Sequence, residues 1–218
     1  IMMEWREGVE EVVAVNKAEA LATIGKRLAQ VGEKEAAKQV LEHALRVVAR
    51  ANIQRWTFGK ASSLWQIAAG LTQAGEKKWA KQLLERALEV AEGIEVPQDK
   101  AWALEEIAAV LTQAGEKERA KEVLKHALKV AEKIWQGIRE WRLRGIEEKL
   151  ARLGQFDEAL KVVETIDGMW DKTLALKEIA AVLIQTGKRE RAKEVLEHAL
   201  KVAGRIELTQ SKPKALAE

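Results

Sequence analysis

An all-α fold built from repeated helix pairs is what this sequence predicts, and three observations predict it. Glycines recur at Gly32, Gly75, Gly115, Gly154 and Gly187, at intervals of 43, 40, 39 and 33 residues. Apolar residues spaced three and four apart flank each of them, as on one face of a helix. The 218 residues are rich in Ala, Leu, Glu and Lys and hold only two prolines, which suits helix almost throughout. Self-similarity at such a period is the signature of a stacked helical array.

The elements follow in order. The opening IMMEWREGVEE reads as a second helix without its partner. Each copy then has a first helix, a glycine that ends it in the left-handed conformation, and a second helix. In the third copy the first helix carries Leu104, Ile107, Ala108 and Leu111 on one face, and Ala120, Val123, Leu124, Ala127, Leu128 and Val130 mark the second. The same first-helix slots hold Leu64, Ile67, Ala68 and Leu71, and again Leu176, Ile179, Ala180 and Leu183. LTQAGEK stands word for word at Leu71–Lys77 and at Leu111–Lys117.

Sixteen residues before each glycine stand Asn16, Gly59, Asp99, Ile138 and Asp171, mostly residues that cap helices, so first helices are expected to begin there. One domain over 1–218 results, with copies at about 17–58, 60–98, 100–138, 139–170 and 172–210. The closing SKPKALAE reads as the start of a sixth first helix, and the two ragged ends suggest an excerpt from a longer array.

Composition excludes several classes. With no cysteine there is no disulfide framework, thiolate nucleophile or Cys-ligated zinc. Lys+Arg 37 against Asp+Glu 34 leaves a net charge of only +3, with the signs interspersed, so nucleic acid is not the expected partner. No apolar run approaches the roughly 20 residues that span a bilayer. The start lacks the basic flank and apolar core of a signal peptide, and a cytoplasmic protein is expected. Scarce Asn and Cys with abundant Lys and Glu point towards a thermophilic source.

No constellation for catalysis, metal or cofactor emerges. His43, His126 and His198 fall in one slot, eleven residues after the glycine, where Arg86 and Thr165 stand in other copies. A slot that accepts His, Arg and Thr is a helix-surface or groove position, not a catalytic one. The row Lys117, Lys121, Lys125, Lys129 and Lys133 is interleaved with Glu118, Glu122 and Glu132, as on a solvated face. A basic residue follows each expected cap: Lys17, Lys60, Lys100, Arg139, Lys172 and Lys212. Positive charge in a first turn opposes the helix dipole, so pairing with a glutamate of the preceding copy, or an anionic partner, is needed to explain it.

LARLGQFDEALKVV (Leu150–Val163), small Ala108 and Ala120, and the pair Ala127–Leu128 resemble the tetratricopeptide repeat. Leu replaces most of that family's aromatic residues, and copies near 40 residues exceed its usual length of about 34, resembling the longer kind in kinesin light chains. HEAT-like and pentatricopeptide-like arrays are the alternative relatives. The resemblance implies a right-handed αα superhelix, a solenoid of about five repeats, that binds a peptide or protein segment in a concave groove lined by the first helices. By its offsets Trp65 and Gln73, then Trp102, Glu105 and Gln113, then Trp141, Arg144, Glu148 and Arg152 face inward. Indoles would anchor apolar side chains, and the polar residues would meet polar or acidic groups.

Two other roles stay open: RNA binding through Trp and Arg/Lys, and an architectural segment that associates end to end. Trp56 and Trp135 share a slot between copies and are expected to plug the joints. The fourth copy departs from pattern, with Arg142 and Glu147 in slots that other copies fill with small residues. Either the two relieve one another or a loosened joint exposes them.

Overall fold

A computed structural model describes residues 2–51 and 56–210. They form ten helices: α1 (Met2–Gln30), α2 (Lys34–Arg50), α3 (Thr57–Ala74), α4 (Lys77–Glu92), α5 (Pro97–Ala114), α6 (Lys117–Ala131), α7 (Gln136–Arg152), α8 (Phe156–Glu164), α9 (Met169–Gln185) and α10 (Arg189–Gln210). No strand occurs among the described residues. The fold is the all-α helical repeat expected. The closing SKPKALAE, with its Lys212, lies outside the described residues.

All five anchor glycines have positive φ, from 76° at Gly187 to 94° at Gly75. Side chains rarely tolerate that conformation. At Gly75 and Gly115 the backbone closes the helix with a paired motif: the glycine N–H donates to Thr72 or Thr112, and the next N–H donates to Leu71 or Leu111.

Helix starts differ from the expected caps. α3, α5, α7 and α9 each begin three residues earlier, with Trp56, Val96, Trp135 and Gly168 at the N-cap and no side-chain cap bond. Asp99 and Asp171 therefore sit inside the first turn, where a negative charge favours the helix dipole. Pro97 at the first helical position is the readable signal for this start. Asn16 caps nothing: the segment expected to stand alone runs unbroken into the first helix as the 29-residue α1. From α1, Glu11 reaches across to accept the backbone N–H of Trp56 at 3.3 Å, supplying the cap that α3 lacks.

The chain divides into two compact units, 1–130 and 131–218. In the first, α1 pairs with α2 and α3 with α4, and α3 and α5 each pack on the pair before. Its core is formed by Leu41, Leu64, Ile67, Leu71, Leu84, Leu104, Ile107 and Leu111. Leu41 lies so close to Gly25 of α1 and Gly70 of α3 that a Cβ at either would overlap it, at 2.6 and 2.7 Å. In the second unit α7 pairs with α8, α9 with α10, and α9 packs on both α7 and α8. Leu143, Ile146, Leu150, Val163, Leu176 and Ile179 are buried there.

The basic residue in the first turn has a structural cause. Lys100 Nζ donates to the Glu92 backbone carbonyl at 2.6 Å and to its carboxylate at 3.3 Å, at the end of α4. Lys172 repeats this with Glu164, at 3.2 Å to the carbonyl and 3.7 Å to the carboxylate. Each lysine thus stabilises the negative end of the preceding second helix. His126 and His198 approach the same two glutamates at 3.1 and 3.9 Å. One Glu–Lys–His node therefore recurs in both units and accounts for two of the three histidines. Arg139 instead pairs with Asp167 at 2.8 Å.

Candidate functional site: the first-helix face

In the first unit, α1, α3 and α5 together enclose an open cleft of about 280 Å³. Thr23, Lys26, Arg27 and Gln30 come from α1; Trp65, Gln66 and Ala69 from α3; Glu106, Ala109, Val110 and Gln113 from α5. These positions recur at helical spacing, so one stripe of each first helix lines the cleft. Space exists because Ala22, Ala69 and Ala109 stand where larger side chains would fill it. Lys26 and Arg27 make the α1 wall basic, and Arg27 Nη1 donates to Gln30 at 3.1 Å.

Trp65 and Trp102 are linked through a residue that sequence reasoning passed over. Phe58, in the first turn of α3, meets Trp65 edge-on at 5.7 Å and lies against Trp102 at 5.0 Å. Trp65 is buried, with its edge on the cleft, whereas Trp102 is partly exposed at the end of the trio. Phe58 is readable only once its place two turns before Trp65 on α3 is known. Gln113 is exposed in the cleft. Glu105 and Gln73 do not line it: Glu105 is buried, and the Gln73 Oε1 is buried without a hydrogen-bond partner.

In the second unit Trp141 is exposed on α7, with the Arg142 guanidinium 3.9 Å from its ring centre. Arg144 is held by two carboxylates of α9, Glu178 at 3.1 Å and Asp171 at 3.5 Å. Arg152 pairs with Glu148 at 2.6 Å. Both arginines are thus engaged within the chain: Arg152 by a glutamate one turn back on its own helix, Arg144 by partners that only the packing of α7 on α9 reveals.

Glu147 behaves unlike either expectation. It is neither exposed nor hydrogen-bonded: its side chain is fully buried and neither carboxyl oxygen has a partner. Burial first, then the charges of Glu178 and Glu148, push its pKa up to about 9, against the opposing pull of Arg144. The group is accordingly a neutral acid at pH 7. Trp135 does not plug a joint either; it is largely exposed and folds back over Gly137, while Trp56 packs on Gly59.

A larger cleft, about 560 Å³, lies between α1 and α2, lined by Val9, Val13, Ala14, Val47 and Ala51 with Lys17, His43, Arg46 and Arg50 around it. Among the described residues no group of three His, Asp or Glu is placed to hold a metal ion, and no helix is long and apolar enough to cross a membrane.

Two segments of the chain, residues 101–134 and 178–205, match the tetratricopeptide repeat. The fold is similar to a solved structure of a putative kinesin light chain from Podosopora anserina with nearly identical TPR-like repeats. There the TM-score is 0.57 at 17% identity, over 88% of this chain and 97% of that one. This is a tetratricopeptide-like repeat protein. BtubC (BKLC) of P. vanneervenii is a further structural match for the TPR-like chain, with a TM-score of 0.54 at 15% identity over 97% and 96%. No curated protein sequence matches it. TPR-like repeats generally mediate protein binding or scaffolding, typically without catalysis.

Proposed function

We propose that the chain is a non-enzymatic scaffold that binds a peptide or protein segment on the face of its first helices. The observation that carries this reading is the cleft between α1, α3 and α5, open, floored by alanines and walled by Trp65. An apolar side chain of the ligand enters the cleft against Trp65, and a second lies on Trp102. Lys26, Arg27 and Gln113 meet carbonyl or carboxylate groups of the ligand backbone and side chains. In the second unit Trp141 is the apolar contact, and Arg144, Glu148 and Arg152 are the polar ones. Because those three are already paired within the chain, they favour a ligand that joins existing ion pairs over one that must break them. Glu105 and Gln73 support the face from beneath it.

RNA is the weaker reading. The net charge is only +3 and Arg144 and Arg152 are paired within the chain, which leaves Lys26 and Arg27 as the basic groups of the cleft. A panel of labelled peptides and oligonucleotides, read by anisotropy, separates the two. Ala109→Arg, which fills the cleft, and Trp102→Ala should each weaken peptide binding by roughly tenfold or more, with little dependence on salt. Unchanged peptide affinity in both variants would remove the reading, and a steep fall of oligonucleotide binding with salt would replace it with RNA.

A further inference from the structure

The second helices carry a groove of their own. It lies between α4 and α6 in the first unit, about 370 Å³ in volume, and shares no residue with the first-helix cleft. Its floor is apolar, made by half-buried Leu88 of α4, Val123 of α6 and Leu104 of α5. Carboxylates form its walls: Glu85, Glu89 and Glu92 follow one another a turn apart along α4, and Glu122 stands on α6. Internal pairs hold the two ends. Arg119 of α6 bridges the groove, 3.4 Å from Glu85 and 3.1 Å from Glu122. At the other end Glu92 meets His126 at 3.1 Å and Lys100 at 3.3 Å. Glu89, between them, has no hydrogen bond or ion pair among the described residues.

Nothing in the repeat requires an acid there. Fourteen residues after the anchor glycine, α2, α6 and α10 hold Arg46, Lys129 and Lys201, so α4 alone of these four reverses the charge. At the joint between α2 and α4 the slots of Glu92 and Arg119 hold Ala49 and Trp79. A half-buried indole thus stands there in the place from which Arg119 reaches across an open groove. Space, apolar floor and unanswered negative charge coincide at this one joint.

We propose that this groove docks a basic protein segment, anchored by an arginine or lysine. The hydrocarbon stem of the anchor lies over Leu88 and Val123 while its charged head pairs with Glu89. Glu85 and Glu122 each meet Arg119 through Oε2 alone, so the Oε1 of each is left for a flanking basic residue. An acidic segment is repelled by the same carboxylates, and a purely apolar one would strip water from Glu89 without giving it a partner.

A labelled short peptide of alternating arginine and leucine, titrated with the full chain and read by anisotropy, tests this. It should bind, more weakly as salt rises, while the counterpart with glutamate in place of arginine should not. Glu89→Lys, at an exposed position, installs the charge that the other copies carry and should weaken binding about tenfold or more. Glu118→Lys makes the same change of charge on α6 outside the groove and should leave binding close to that of the parent chain. Methyl resonances of Leu88 and Val123 should shift on binding, while those of Ala69 and Ala109 in the first-helix cleft stay in place. An arginine peptide that does not bind overturns the proposal. So do equal losses in Glu89→Lys and Glu118→Lys, which would mean a general attraction of charge, and shifts at Ala69 and Ala109 in place of Leu88 and Val123. Should Glu89→Lys lose its helical circular dichroism, Glu89→Gln replaces it with a smaller loss expected, and unchanged affinity there overturns the proposal. Failure at this groove leaves the reading of the first-helix face standing.

Discussion

Glu147 stands in a slot that Gly25, Ala68, Ala108 and Ala180 hold in the other copies. A carboxyl with no hydrogen bond there opposes folding unless it keeps its proton. Its folded pKa of about 9 lies above the ordinary value of 4.5, so between those values the folded chain holds a proton that the unfolded chain releases. Stability should therefore be highest near and below pH 4.5 on this account and fall as pH rises towards 9, costing roughly 3 kcal/mol by pH 7. Glu140, raised chiefly by burial, acts in the same direction. Glu147→Ala should flatten the profile and raise stability at pH 8 by about 1–3 kcal/mol, measured by urea unfolding at several pH values. A loss of stability at pH 8 would mean that the carboxyl has a stabilising partner. The repeat register singled out this residue from the sequence. Its burial was not legible, because nothing local distinguishes a charged side chain that escapes to solvent from one that packing traps.

The helix starts and turns divide sharply in how legible they were. All five turns followed from glycine spacing, since only one residue type suits a positive φ without strain. Gly75→Ala or Gly115→Ala should accordingly cost about 1 kcal/mol, seen as a lower melting temperature. The starts were misjudged by three residues because Asp serves both as a cap and as a first-turn acid, and only Pro97 separated the two roles. The first-turn lysines could not be understood from their own helix at all. Their partner is the last carbonyl of another helix, eight residues back at Lys100 and at Lys172. Lys100→Met keeps the stem and removes the charge, so it should destabilise the end of α4 by about 0.5–1 kcal/mol. Hydrogen exchange at Val90, Ala91 and Glu92 should report it before any change at α3.

For the whole molecule, the repeat made the fold readable and the ligand unreadable. Periodicity places residues on faces, and Trp65, Ala69, Ala109 and Gln113 do share the cleft. It does not say that Glu105 is buried or that Arg144 is already held by Asp171 and Glu178, since those depend on neighbours a repeat away. The Glu–Lys–His node has a consequence of a statistical kind. At α4 and at α8 it joins a second helix to the copy that follows and to nothing further, so each of those joints acts as a coupling between nearest neighbours alone. Exchange protection should then change in steps from copy to copy, each step as high as the coupling across its joint.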